Sequence, residues 1–391
     1  MHPSTADAAA AARWADLPFD LLHDVSHRLH TAAEYVRLHA VCNPWRDTLL
    51  AEQPPALLPW LVTPPDTAGR RTARCVFSSS RARADRRRWL LRAEDCTAAS
   101  RLTSSTCIVG DPLAIHAGAA PLPPIFSGDD DDEVNWRAEP ANHAIGTVSG
   151  DGTVVLCHFR LVERTYQQTR FSLSFSLLRP GDAAWTSVRT LKTNSSHDRG
   201  RCSMAYHGGK IVLCFGWAAF CIAATPSSSR AEDRHGTWWI PGPHIRSGYI
   251  LESTHVFEHS GELLCAVVEA KSVIFRPVSE LANDLSVSVY ALREVEPGKL
   301  RWVKRDGLSF ADRILFLGLP TSFAVDAERF AISDGCAYFV VRGSPSDWFG
   351  IGTVKTCFLF KYCFRNDKSE LIELLPDEWD SDACMWLTPR T

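Results

Sequence analysis

The sequence predicts a small all-α segment followed by a large all-β domain, and three observations carry that expectation. Residues 14–50 are dense in helix signals, five prolines crowd the stretch between Glu52 and Asp66, and beyond residue 70 short apolar runs follow turn-forming pairs. The chain is accordingly expected to divide into a disordered tail at 1–12, a helical segment at 13–51, a Pro-rich connector at 52–69 and a β-rich domain at 70–391. A β-propeller is the expected architecture of the last part, with a β-sandwich as the alternative.

Within "WADLPFDLL", Trp14 to Leu22, Pro18 suits the first turn of a helix, where its missing N–H would have had no partner. Leu21, Val25 and Leu29 then recur at i, i+4 and i+8, with Leu22 beside them, which predicts one apolar helical face. "TAAE" from Thr31 to Glu34 is a capping box that opens a second helix, whose face is Tyr35, Leu38 and Val41 or Cys42. Asn43 followed by Pro44 joins a good N-cap residue to a proline at the first helical position, so a third helix starts there and carries Trp45 and Leu49. Helices this short do not stand alone in water and must pack, on one another or on a partner.

The run "EQPPALLPWLVTPPD" cannot be helical throughout and reads as a stiff connector, with Leu57, Leu58, Trp60 and Leu61 available to pack on the β-rich domain. After it, a recurring glycine opens an apolar run: "GTVVLC" at Gly152, "GKIVLC" at Gly209, "GELLCA" at Gly261 and "GCAYFV" at Gly335. The first three follow a turn pair, Asp151-Gly152, Gly208-Gly209 or Ser260-Gly261, as in hairpins. Tryptophan-bearing partner strands lie between them, "AAWTSVRTL" around Trp185 and "KLRWVKRDG" around Trp302. Repeats of roughly 40–50 residues built from short antiparallel strands mark a propeller, and loop insertions lengthen these. The longest apolar run, Ile211 to Ala224, is split by Gly216 and falls short of the roughly 18–20 residues of a membrane span. It reads as two buried strands.

Composition narrows the partners. With 45% apolar and 22% charged residues and a net charge of −3, no general attraction to nucleic acid or to an anionic membrane is expected. The N-terminus lacks the basic start and continuous apolar core of a secretion signal. The 13 cysteines stand singly, without a C-x-x-C pair or zinc-finger spacing, and are read as buried reduced thiols; no metal and no cofactor is expected. Asn194 heads an Asn-Ser-Ser triplet, expected to stay unmodified in a reducing compartment.

Several local patterns invite sharper readings. His23 and His27 share a helical face, but Asp24 stands where a zinc protease motif places its glutamate, so solvent-facing histidines are expected. Arg81, Arg83, Arg86, Arg87, Arg88 and Arg92 form a basic run, read first as a solvated loop or helix face and otherwise as a nuclear import signal or a patch for an acidic partner. Asp129 to Glu133 lacks the alternation and the glycine of a calcium loop and reads as an acidic insertion. "EDRHGTWW" at Glu232 to Trp239 approaches a sialidase Asp-box, but its glycine falls one position late and Ala231 replaces the serine. Neither a G-x-S-x-G nor a repeated carboxylate pair occurs, so a propeller glycoside hydrolase is the least favoured reading. Trp238, Trp239, Trp348 and Phe349 are candidate exposed anchors on which no assignment rests.

The N-terminal segment resembles an F-box. The residues that carry the resemblance are "LPFDLL" at Leu17 to Leu22, Val25, Arg28-Leu29, "VRLHAVCNPWR" at Val36 to Arg46, and Leu49; Asn43-Pro44 replaces the more usual polar pair before the tryptophan. The remainder is similar to the KIB-type β-propeller of plant F-box proteins, through "PWLV" at Pro59 to Val62, "APLPPI" at Ala120 to Ile125, "SGELL" at Ser260 to Leu264, "RILFLGLPTSFAVDAERF" at Arg313 to Phe330 and "CAYFVV" at Cys336 to Val341. That similarity is good between about 255 and 345 and poor between 70 and 150.

The resemblance implies a non-catalytic substrate-recognition subunit of an SCF-type ubiquitin ligase. A Skp-type adaptor, and through it a cullin, would bind Leu17, Pro18, Leu21, Leu22, Val25, Leu38, Val41, Cys42, Trp45 and Arg46. The propeller would hold a protein target, and the protein would work in the cytoplasm or nucleus. A ubiquitin-independent scaffold is the alternative from another class.

Overall fold

The computed structural model describes residues 17–29, 32–50, 58–62, 71–74, 89–91, 108–109, 120–121, 143–149, 151–164, 169–195, 202–215, 219–224, 237–271, 278–297, 299–330, 335–343, 356–376, 379 and 384–387. The expected tail at 1–12, the capping residue Thr31, the arginines 81–88 and Arg92, the acidic run at 129–133 and residues 348–349 lie outside the described residues.

Among the described residues three short helices come first: α1 (Phe19–His27), α2 (Ala32–His39) and α3 (Asn43–Leu50). Pro18 stands just before α1 rather than inside it, and its carbonyl accepts the first helical hydrogen bond from Leu22 N at 3.1 Å. The three helices enclose a core of Leu22, Leu38, Trp45 and Leu49, with Leu17, Leu29 and Cys42 against it. The face of α1 that turns inward is therefore Leu22 and Ser26, one residue on from the expected Leu21 and Val25, which face outward. Periodicity locates a stripe, and the other two helices decide which stripe is covered.

The rest of the described chain is built from strands in six sheets. Sheet I joins β1 (Trp60–Val62), β2 (Arg71–Arg74) and β3 (Trp89–Leu91) to the last strand, β23 (Met385–Leu387), in the order β23-β1-β2-β3. Sheet II is the pair β4 (Ile108–Val109) and β5 (Ala120–Pro121). Sheet III runs β6 (His143–Val148), β7 (Val154–Arg164), β8 (Thr169–Leu178), β9 (Thr186–Ser195). Sheet IV runs β10 (Cys202–His207), β11 (Lys210–Phe215), β12 (Ala219–Ala224), β13 (Thr237–Pro241). Sheet V runs β14 (Tyr249–His259), β15 (Glu262–Lys271), β16 (Leu285–Glu296), β17 (Lys299–Lys304), with helix α4 (Val278–Asp284) between its second and third strands. Sheet VI holds β18 (Arg313–Leu317), β19 (Phe323–Asp326), β20 (Cys336–Gly343), β21 (Thr356–Cys363) and β22 (Lys368–Leu374), in the order β19-β18-β20-β21-β22.

Sheets III, IV and V are meanders in which consecutive strands pair in chain order, the organisation of propeller blades and not of a Greek-key sandwich. Strand β10 touches both β6 and β14, β14 touches β19, and β18 touches β23, so sheets III to VI and then sheet I follow one another. The apolar run at Ile211 to Ala224 is indeed two strands, β11 and β12. Trp60–Val62, assigned by sequence to the connector, belongs instead to sheet I and is buried, because pairing with both β2 and the returning β23 captures it.

The turn glycines divide into two kinds. Gly208-Gly209 and Ser260-Gly261 hold φ values of 55°, 72°, 51° and 75°, the left-handed geometry of a two-residue hairpin turn. Gly335 differs: it precedes β20, which pairs in parallel with β18, and a Cβ there would lie 1.8 Å from the carbonyl oxygen of Phe310. Close backbone approach, not turn geometry, demands this glycine.

Candidate functional site

Three places in the fold bring sequence-predicted or chemically unusual side chains together. The first is the helical segment. Of the ten residues assigned to a partner face, Leu22, Leu38 and Trp45 are buried among the helices, so for these three the structure corrects the expectation: they form the interior that holds the helices together. Leu17 and Cys42 are half-buried against that interior. Arg46 is exposed and its Nε donates to the carbonyl of His39, at the end of α2, at 3.3 Å. Burial and then the Arg46 guanidinium lower the pKa of His39.

Pro18, Leu21, Val25 and Val41 are exposed. Phe19, 50% exposed, joins them, although the motif reading passes over it. Its signal is an aromatic residue in the first turn of a helix too short to cover it. Three large apolar side chains exposed on one nine-residue helix are unusual for a surface with nothing to cover. The rings of His23 and His27 lie tilted by 34° with centroids 4.0 Å apart, and His27 Nδ1 lies 3.1 Å from the carbonyl of His23. No group of three metal-ligating side chains occurs among the described residues.

The second place is a node where sheets IV, V, VI and I meet at the β18–β19 loop, Gly318 to Ser322. His255 on β14 lies with Nδ1 3.1 Å from the Gly318 carbonyl and Nε2 2.9 Å from the Ser253 hydroxyl. Trp386 Nε1 donates to the carbonyl of Leu317 at 3.1 Å, and Leu319 N donates to the carbonyl of Cys384 at 3.2 Å. From sheet IV, Met204 N donates to the carbonyl of Pro320 at 3.0 Å. The loop reaches this position through a cis Leu319–Pro320 peptide bond. A small cleft lies against the node and is lined by Ser253, His255, Gly318 and Arg342, among others.

The Ser253–His255 contact has the atoms of a nucleophile and its base, but its electronics are those of a brace. The carbonyl of Gly318 can only accept, so Nδ1 carries the proton and Nε2 accepts from the serine hydroxyl. Burial lowers the imidazole pKa to about 4, which leaves it a weak base at neutral pH. The position that would orient a catalytic histidine holds a peptide carbonyl instead of a carboxylate.

A third feature is the buried ion pair of Glu269 on β15 with Arg246. Arg246 offers Nε at 2.7 Å and its own backbone N–H at 3.0 Å, and its guanidinium stacks 4.2 Å over the Tyr249 ring. It pins the segment before β14 to the middle of sheet V.

With this arrangement of sheets in view, comparison with protein families gives a match to the KIB1-4 beta-propeller over residues 61–364, more than half of the chain. The chain belongs to the KIB1-4 beta-propeller family. The matched region begins in β1 and ends at Phe364, whose N–H binds the Gly335 carbonyl at the end of β21. The KIB1-4 match thus leaves out both the helical segment and β23, the strand that completes sheet I. A comparison with curated proteins finds no match. Among solved structures, a glycosyl hydrolase from Bacteroides ovatus aligns with 82% of this chain and 84% of its own at 12% identity and a TM-score of 0.25, a likeness too slight to carry an argument.

Proposed function

We propose that this KIB1-4 propeller protein is the substrate-recognition subunit of an SCF-type ubiquitin ligase. The helical segment is the F-box, which docks on a Skp-type adaptor and through it on a cullin; the propeller holds a protein target. The observation that carries the reading is the exposed apolar stripe of Leu21 and Val25 on α1, with Phe19 and Val41 also exposed, on a segment ordered by its own small core. Full burial of such side chains stabilises a complex by roughly 1.5–3 kcal/mol each, from which the costs of association are subtracted. The subunit contributes proximity rather than bond chemistry, raising the effective concentration of a target lysine at the conjugating enzyme. Work in the cytoplasm or nucleus belongs to the same reading.

Co-purification of the full chain with a plant Skp-type adaptor tests this, comparing wild type with Leu21→Asp/Val25→Asp. Capture by wild type and loss in the variant are expected. Absence of capture by folded wild type would replace the ligase reading with that of a ubiquitin-independent scaffold.

A further inference from the structure

We infer that Cys336 and Cys363 form a cross-strand thiol pair that closes to a disulfide on oxidation, a modification site independent of the ligase reading. The register sets the two residues directly opposite each other on β20 and β21. The type of rung matters. Phe364 N donates to the Gly335 carbonyl at 3.1 Å, so Gly335 and Phe364 face each other across a hydrogen bond and the adjacent Cys336–Cys363 rung is of the non-hydrogen-bonded kind. Such rungs bring Cα atoms to about 4.5 Å and hold the side chains closest together. That separation lies at the short end of the range a disulfide spans, roughly 4.4–6.8 Å.

Access is asymmetric. Cys336 is wholly buried, between β18 and β21, whereas Cys363 is half-buried at the end of its strand, the less enclosed of the two. A peroxide therefore reaches Cys363 first. Its thiol sulfur is oxidised to the sulfenic acid, with hydrogen peroxide reduced to one water. The Cys336 sulfur then attacks that sulfur, the S–S bond forms, and the hydroxyl leaves with the Cys336 proton as a second water. The product joins the two long central strands of sheet VI at the end where β20 enters beneath Phe310, and it closes the segment from Cys336 to Cys363 into a loop.

Neither spacing nor motif reveals this pair, because the cysteines stand far apart in sequence and only the strand register joins them. Treating the folded full-length protein with hydrogen peroxide, followed by alkylation and non-reducing peptide mapping, tests the inference. A single cross-linked peptide pair containing Cys336 and Cys363 is expected, with the intact mass lower by two hydrogens and Tm higher by several degrees, both reversed by a thiol reductant. Cys363→Ser, at the more accessible position, keeps the reduced Tm of wild type and abolishes the oxidative rise. Formation of any other pair, or accumulation of Cys363 sulfinic acid with Cys336 still alkylatable, would overturn it.

Discussion

The Nδ1 atom of His255 lies 3.1 Å from the carbonyl oxygen of Gly318, across the boundary between the fifth and sixth sheets, and the hydroxyl of Ser322 lies 3.2 Å from the same nitrogen. The relationship fixes a tautomer and with it a direction for every hydrogen bond around the ring. It also couples folding to the protonation of one buried imidazole, since a charged ring here would face burial without a carboxylate among its hydrogen-bond partners.

Stability is expected to depend on pH through this ring and through His158, both with a folded pKa lowered by burial to about 4. Their unfolded value is the ordinary 6.5, so the unfolded chain takes up protons first as pH falls. Their contribution is complete above pH 6.5 and drains away between 6.5 and 4, by about 3 kcal/mol for each ring at most. Urea denaturation across that window measures it. His255→Gln should lower stability at pH 7.5 and flatten the slope by about one proton; a slope unchanged by the substitution would remove His255 as its source.

For Arg246 and Glu269, removal of the two partners should not be equivalent. Glu269 is fully buried, so Arg246→Ala removes its guanidinium partner, leaves it the backbone N–H of residue 246 and should cost about 3 kcal/mol. The guanidinium is one-third exposed and turns to water when Glu269→Ala removes its partner, so the second loss should be smaller, about 1–3 kcal/mol. Chemical denaturation of both variants decides the order, and equal losses would show that the carboxylate finds another donor.

Two glycines in apparently similar repeats should respond very differently to alanine. At Gly261 the added methyl meets no atom within 4 Å and the only cost is a φ of 75°, about 1 kcal/mol. At Gly335 the same methyl runs into the backbone of Phe310 and Ala311, at 1.8 and 2.7 Å, and neither can yield without moving the turn at Gly307–Phe310. Gly335→Ala should lose more than about 4 kcal/mol or fail to give soluble protein. Thermal melts of the two purified variants are the measurement.

This contrast shows where the sequence was legible. Asp151-Gly152, Gly208-Gly209 and Ser260-Gly261 announce turns through local chemistry, and turns with left-handed glycines stand there. Gly335 looks alike in sequence, but its reason lies in Phe310, which the fold brings in from an earlier segment, and the parallel pairing of β18 with β20 is equally non-local. The strand character of Trp60–Val62 was hidden for the same cause, since its partner β23 is more than 300 residues away. In the helical segment the apolar residues were found but their inward or outward sense was not, because a stripe one residue wide of Leu22 satisfies the same periodicity. The node at His255 has no sequence signature at all: its acceptors are main-chain carbonyls, which every residue possesses.

The inward and outward stripes of α1 separate folding from binding, and paired substitutions should expose that division. Leu22→Ala removes a side chain that is 1% exposed in a core it shares with Leu38, Trp45 and Leu49, so the segment should lose about 2–4 kcal/mol and with it helical circular dichroism. Leu21→Ala and Val25→Ala remove side chains that are 48% and 42% exposed and should leave stability within about 0.5 kcal/mol. If the outward stripe is the adaptor face, these two silent substitutions should weaken adaptor capture as strongly as Leu22→Ala does, by at least tenfold when combined. Undiminished capture in the Leu21→Ala/Val25→Ala double variant, together with loss in Leu22→Ala, would mean that the segment must be folded but that its partner sits elsewhere on it.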